Sequence, residues 1–221
     1  MTEPRRADWN THGAIDLISS ALLAAATVAS AWCAFQASVW NGVQTRALAS
    51  ASVAQFAASR EGAVVDRNVT IDVGVFLRYA DADMKGDRKA TAFLEANARS
   101  EFRPALQAWI ADQRSGRASA PLPFFRAEYR IAAQDRIAGL DTRVASDLKI
   151  ANAANHHSDA FVLHTVLFAL SLMFLGATAQ ARRRRTQLTM LVFGALAFMA
   201  TFVSMVRLPH APLRDDRAAI P

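Results

Sequence analysis

Cysteine is nearly missing from this chain of 221 residues, with Cys33 alone. One thiol forms no intrachain disulfide, so a disulfide-stapled scaffold is excluded and cysteine usage does not report the redox compartment. Cys33 reads as a small buried hydrophobe, and Trp32 stands before it where a lipoprotein signal needs a small residue. Proline is missing from residues 5–103, so nothing forces a helix to stop over that length. Charge is missing from three runs of 19 residues, Leu17–Phe35, Phe161–Ala179 and Leu188–Val206. Catalytic signatures are missing too. There is no His-Glu-x-x-His, no Glu-x-x-His, no glycine-rich phosphate loop and no Gly-x-Ser-x-Gly. No catalytic residue and no cofactor-binding residue is indicated, and no cofactor is expected.

What is present is segregated. Hydrophobic residues make up 52% of the chain and charged residues 20%, and the two kinds lie in separate blocks. At roughly 1.5 Å per residue, a 19-residue helix covers about 28 Å, close to the hydrocarbon core of about 30 Å. Backbone groups in lipid must be satisfied internally, which leaves the helix as the spanning state. The pattern predicts transmembrane helices over 14–36, 160–179 and 188–206. Direction follows from arginine. Arg182, Arg183, Arg184 and Arg185 fill a short turn at 180–187, and short loops with that bias stay cytoplasmic, since each central arginine carried through lipid would cost about 2.5–3.5 kcal/mol. Arg5 and Arg6 before the first span agree, giving a cytoplasmic N-terminus at 1–13. Residues 37–159 and the tail 207–221 then fall outside. Ala29-Ser30-Ala31 after Arg5 and Arg6 also resembles a signal-peptide cleavage site, although the helical pattern continues through Trp32 and Trp40.

The net charge of +6 does not indicate nucleic-acid binding, because the excess sits in the turn and at the termini rather than on one folded face. Between the first two spans, Trp40, Val43, Ala47, Ala51, Ala54, Ala58, Val65, Val69, Phe76 and Tyr79 recur at helical spacing. A helix from Gln36 to Asp83 would run about 70 Å, with Gly62 and Gly74 as places to bend. A second helix is expected over 88–113, either kinked at Pro104 or broken so that the proline opens a new first turn. Ser115–Pro123 reads as a loop. A third helix is expected from about Ala127, with Tyr129, Ala133, Ile137, Leu140, Val144, Leu148, Ala151 and Asn155 as its seam, nearly straight because the repeat is close to eleven residues. The charged residues Arg126, Glu128, Arg130, Asp135, Arg136, Asp141, Arg143, Asp147 and Lys149 are expected to face water. The fold class is therefore an all-α membrane protein: three transmembrane helices plus an extramembrane antiparallel three- or four-helix bundle continuous with spans one and two.

Several motifs carry a resemblance. Trp32-Cys33-Ala34-Phe35-Gln36-Ala37-Ser38-Val39-Trp40-Asn41-Gly42-Val43-Gln44 is one. Glu101-Phe102-Arg103-Pro104-Ala105-Leu106-Gln107-Ala108-Trp109, Pro121-Leu122-Pro123-Phe124 and Glu128-Tyr129 are the others. Over roughly residues 22–209 the chain resembles a family of uncharacterised bacterial inner-membrane proteins with three transmembrane helices and an external helical domain between the first and second. The resemblance implies topology and an inner-membrane address, and supplies no catalytic residues. The long Arg182–Arg185 run and Cys33 depart from the family pattern.

The remaining chemical signals are sparse. His156, His157 and His164 are the candidate metal ligands, but one helix does not place all three at the needed spacing; they equally suit a polar collar where a helix enters lipid. Asp81, Asp83 and Gly86 match parts of a calcium loop, yet Lys85 and Ala92 occupy positions that need oxygen ligands. The expected role is a non-enzymatic membrane protein whose external bundle binds another protein or itself. The alternatives are an accessory or small oligomeric component of a transport system, and a membrane sensor acting through a partner.

Overall fold

The computed structural model describes residues 6–116 and 121–211, without the side chains of 6–12 and 14. Arg5, the loop at 117–120 and the tail beyond residue 211 lie outside the described residues. The described chain is all-helical, with no strand among its residues: α1 (Arg6–Met84), α2 (Arg88–Asn97), α3 (Arg103–Arg114), a 3-10 turn (Pro123–Phe125), α4 (Ala132–Gln180) and α5 (Arg184–Val206). Helices α1, α4 and α5 each contain a stretch long and apolar enough to cross a membrane. The chain divides into two compact units, one of residues 1–48 with 148–221 and one of residues 49–147.

Helix α1 runs for 79 residues, as the missing prolines allow. Gly62 and Gly74 do not interrupt it, and neither does Ala29-Ser30-Ala31. It ends where expected: Gly86 adopts φ +69°, and the N–H of Asp87 returns to the Ala82 carbonyl at 2.9 Å, a left-handed glycine stop. Asp87 then caps α2, its carboxylate accepting from the N–H groups of Lys89 and Ala90.

Residues 88–113 form two helices separated by Ala98–Phe102, so of the two outcomes expected there the structure takes the break that puts the proline in a new first turn. Arg103 closes the end of α2 by donating to the Ala96 and Ala98 carbonyls, while Pro104 opens α3, where its missing N–H costs nothing. Helix α4 begins at Ala132, not near Ala127, because residues 126–129 form a turn, closed by the Tyr129 N–H donating to the Arg126 carbonyl at 3.1 Å, and this turn carries the Tyr129 ring into a core. Its seam also departs from the expected one. Leu148 is exposed and Asp147 turns inward, since a 3.6-residue helix reaches the inner face at steps 144, 147 and 151. Asp147 and Arg126 are thus largely buried rather than solvated. Finally, only Ala181–Arg183 separate α4 from α5, so Arg184 and Arg185 belong to the first turn of α5 and the turn is shorter than 180–187.

In the first unit the core is made of small side chains and a few rings: Ala26, Ala29, Cys33 and Ala37 of α1, Phe161 and Phe168 of α4, and Phe198 and Met205 of α5. A Cβ built on Gly194 would meet Leu175 Cγ at 2.7 Å and the Leu175 backbone nitrogen at 3.1 Å. Glycine there lets α4 and α5 approach closely. In the second unit the core is aromatic and aliphatic, with Phe76, Tyr79, Ala98, Phe102, Leu106 and Ile110 buried against Trp109, Phe124 and Tyr129.

Candidate functional site

Three of the motifs behind the family resemblance fall within residues 101–129, and the second unit packs their rings together with Phe76 of α1. The Phe102 and Phe124 rings stack at 5.5 Å between centroids, and Tyr129 stands edge-on to both at 5.8 and 5.6 Å. Phe76 meets Trp109 at 5.1 Å and Phe124 at 5.6 Å, again edge to face. The 3-10 turn at Pro123–Phe125 is what delivers Phe124 to this cluster.

At the cluster lies Asp72, with no solvent exposure. Sequence reasoning passed over it, although a signal was there: it stands three residues after Val69 and four before Phe76, on the apolar stripe of α1. An acid at a core position needs partners, and it has them. Arg99 Nε donates to one carboxylate oxygen at 3.0 Å, and the Tyr129 hydroxyl donates to the other at 2.9 Å. Arg99 also donates to Glu101 at 2.8 Å. The second Glu101 oxygen accepts the N–H of Ala132 at 3.0 Å, capping α4 from across the unit. One chain of bonds thus joins α1, the α2–α3 break, the Tyr129 segment and the start of α4.

The electrostatics follow the geometry. Burial pushes the Tyr129 phenol well above its ordinary range, and donation to Asp72 and that carboxylate's charge act in the same direction. The Ala132 N–H holds the Glu101 carboxyl below its usual range against some burial, with help from Arg99 and Arg136. Burial disfavours the Arg99 charge, but Asp72 and Glu101 outweigh it and raise its pKa. Both oxygens of Asp72 are engaged, so the group acts as a positioning centre for the second unit.

The first unit gathers the remaining motif. Gln36, almost fully buried, accepts the N–H of Ala211 at 3.0 Å. Trp40 Nε1 donates to the Pro209 carbonyl at 3.2 Å, and its ring lies 4.6 Å from that of His157. The His210 ring sits near Trp32 and Phe161. The described part of the tail therefore folds back onto this unit, held by the Trp32–Trp40 segment.

The histidines do not converge. His156 is exposed, His157 packs on Trp40, and His164 is buried with Nδ1 at 2.7 Å from the Ala160 carbonyl and no partner for Nε2. No group of three or more His, Cys, Asp or Glu among the described residues is placed to hold a metal ion. At the calcium-loop match, Asp81 is paired with Lys85 at 2.7 Å, and Asp83 and Gly86 form the turn. Among the topology-setting arginines, Arg182, Arg183, Arg184 and Arg185 are exposed; Arg5 and the Arg6 side chain lie outside the description. No family model matches the chain, and no curated protein or solved structure matches it.

Proposed function

We propose that the chain is an integral membrane protein of the bacterial inner-membrane family its sequence resembles, and that residues 37–159 outside the bilayer associate with a protein partner or a second copy. Membrane insertion is supported by the outward faces of the three apolar helices. Only 22%, 28% and 22% of their apolar windows are buried inside the protein, and Leu17, Val28, Val166 and Leu196 are all more than half exposed. Lipid is the solvent such faces require. The N-terminus is cytoplasmic on this reading, by the arginine bias.

The observation that carries association lies in the second unit. Between Ala54 and Asp72, α1 has no buried residue, and neither has α4 between Ala133 and Asp147. The two helices are tied there by Arg136–Glu61 and Arg143–Ser50, while Val53 and Phe56 are 70% and 73% exposed. A helix pair with half-covered seams and an exposed ring gains by packing against further helices. Site-directed cross-linking tests this with Phe56→Cys in a Cys33→Ala background, in native membranes. Covalent dimers or one reproducible heterologous adduct, lost when Val53→Asp is added, are expected. Monomers only would remove the proposal. A second reading, a component of a transport system, rests on the unpartnered Nε2 of His164 in the apolar core; absence of solute flux from reconstituted protein would sink it.

A further inference from the structure

We infer that Arg182, Arg183, Arg184 and Arg185 hold the phosphate of an anionic phospholipid. The inference rests on the membrane reading above. Four consecutive Cα atoms span at most about 11 Å, so four guanidinium groups are concentrated beside the three-residue connection of α4 and α5. All four are exposed, and none forms an ion pair with an acid among the described residues. The described side chains leave these guanidinium groups free to meet an external anion.

In the first unit the acids with described side chains are Asp16 and Asp159, both exposed and neither paired with an arginine. The connection joins two helices that are each long and apolar enough to span, which puts the guanidinium groups at headgroup depth when both helices are inserted. Nitrogens in that position meet phosphodiester oxygens, and the planar fork of arginine binds them through paired N–H donors. Attraction of clustered cations to anionic headgroups accumulates with each residue. The ligand is thus a lipid carrying net negative charge at its phosphate, distinguished from neutral phosphatidylcholine by that charge.

The experiment titrates the detergent-solubilised full chain with phosphatidylglycerol and with phosphatidylcholine, counting bound lipids by native mass spectrometry. A preference for phosphatidylglycerol of at least about tenfold is expected. The same titration is run on R182K/R183K/R184K/R185K, which keeps the charge that sets orientation but lacks the paired donors; its affinity for phosphatidylglycerol is expected to fall severalfold. Equal binding of the two lipids by the native chain would overturn the inference, as would an undiminished affinity for phosphatidylglycerol in the lysine variant. Inorganic phosphate that displaces phosphatidylglycerol at equal concentration would also overturn it, assigning the site to a free anion. A chain that stays soluble without detergent would defeat the membrane reading instead, so the two failures are separable.

Discussion

Removing the Asp72 carboxylate is the sharpest available test of how the second unit is held. In Asp72→Ala, the Tyr129 hydroxyl loses its acceptor at 2.9 Å and Arg99 Nε loses its acceptor at 3.0 Å. Breaking a buried ion pair from one side costs about 3–5 kcal/mol, because the remaining charge is left uncompensated. Here the lower end applies. Arg99 retains Glu101 at 2.8 Å, and its side chain is 27% exposed, so water and a second acid recover part of the loss. About 3 kcal/mol is therefore expected, most of it local to the aromatic cluster. The assay is hydrogen exchange of the α3 amides, since Leu106 and Ile110 pack in that cluster, and loss of local stability appears there as faster exchange. Tyr129→Phe removes only the hydroxyl bond and should cost about 1.5 kcal/mol. The double variant Asp72→Leu with Arg99→Met should be less destabilised than Asp72→Leu alone, because replacing both charges leaves none unpaired. If Asp72→Ala lies within about 0.5 kcal/mol of the native chain, the network does not hold the unit and the reasoning fails.

The pH dependence has two limbs of opposite sign. Tyr129 has its pKa raised on folding, so its contribution is complete below about pH 10 and is lost as pH rises through the folded value; Tyr129→Phe should flatten alkaline unfolding measured by circular dichroism. Glu101 has its pKa lowered, so its contribution is present above the ordinary carboxylate range and is lost as pH falls through the depressed value; Glu101→Gln should remove that acid limb. In the first unit, Gly194→Ala places a methyl group against Leu175 and should cost about 1–3 kcal/mol by overpacking, with Leu175→Ala relieving only part because the backbone nitrogen is also close. Thermal unfolding in detergent would read this, and an unchanged midpoint would contradict the close approach. Gln36→Leu strands the buried N–H of Ala211, and should speed hydrogen exchange of that amide relative to the native chain.

How much was legible in the sequence differs between features, for physical reasons. The three apolar runs and the end of α1 were readable because absence of charge, absence of proline and a Gly-Asp stop are local properties. Pro104 left a kink and a break both open, and the choice of a break rests on Arg103 reaching back to two carbonyls and on Phe102 entering the core, contacts that only folding brings together. Tyr129 was placed on a helical seam because its spacing to Ala133 and Ile137 suits one. Its buried hydroxyl bond to Asp72 decides otherwise, since the turn at 126–129 sets the ring edge-on to Phe102 and Phe124 before α4 begins. Asp72 itself was in view on the stripe of α1 and went unremarked, because a periodicity count registers apolar positions and passes over the polar residue that interrupts them. The Leu148 to Asp147 shift is smaller in kind: Val144 and Ala151 hold the seam as expected, and between them the helix turns position 147 inward rather than 148.

The cores along α1 change character in a way that composition explains. The buried apolar positions of its N-terminal and middle parts are Ile15, Cys33 and alanines from Ala26 to Ala54, and towards its C-terminus the rings of Phe76 and Tyr79 join Ala82. In lipid there is no hydrophobic drive between helices, so stability comes from close van der Waals contact, which small side chains allow. In water the drive is apolar area removed from solvent, and aromatic rings supply the most of it per residue. On the membrane reading, each end of α1 carries the core its solvent demands. The stretch from Gln55 to Ile71 carries neither. It has no close-packed alanine seam and no ring buried against a third helix, while Phe56 stands in the open. A solvated stretch of that kind should exchange its amides faster than either flanking core, unless another helix covers it. Slow exchange over residues 55–71 in native membranes, becoming fast on dilution into detergent, would identify that covering helix as one contributed by another chain.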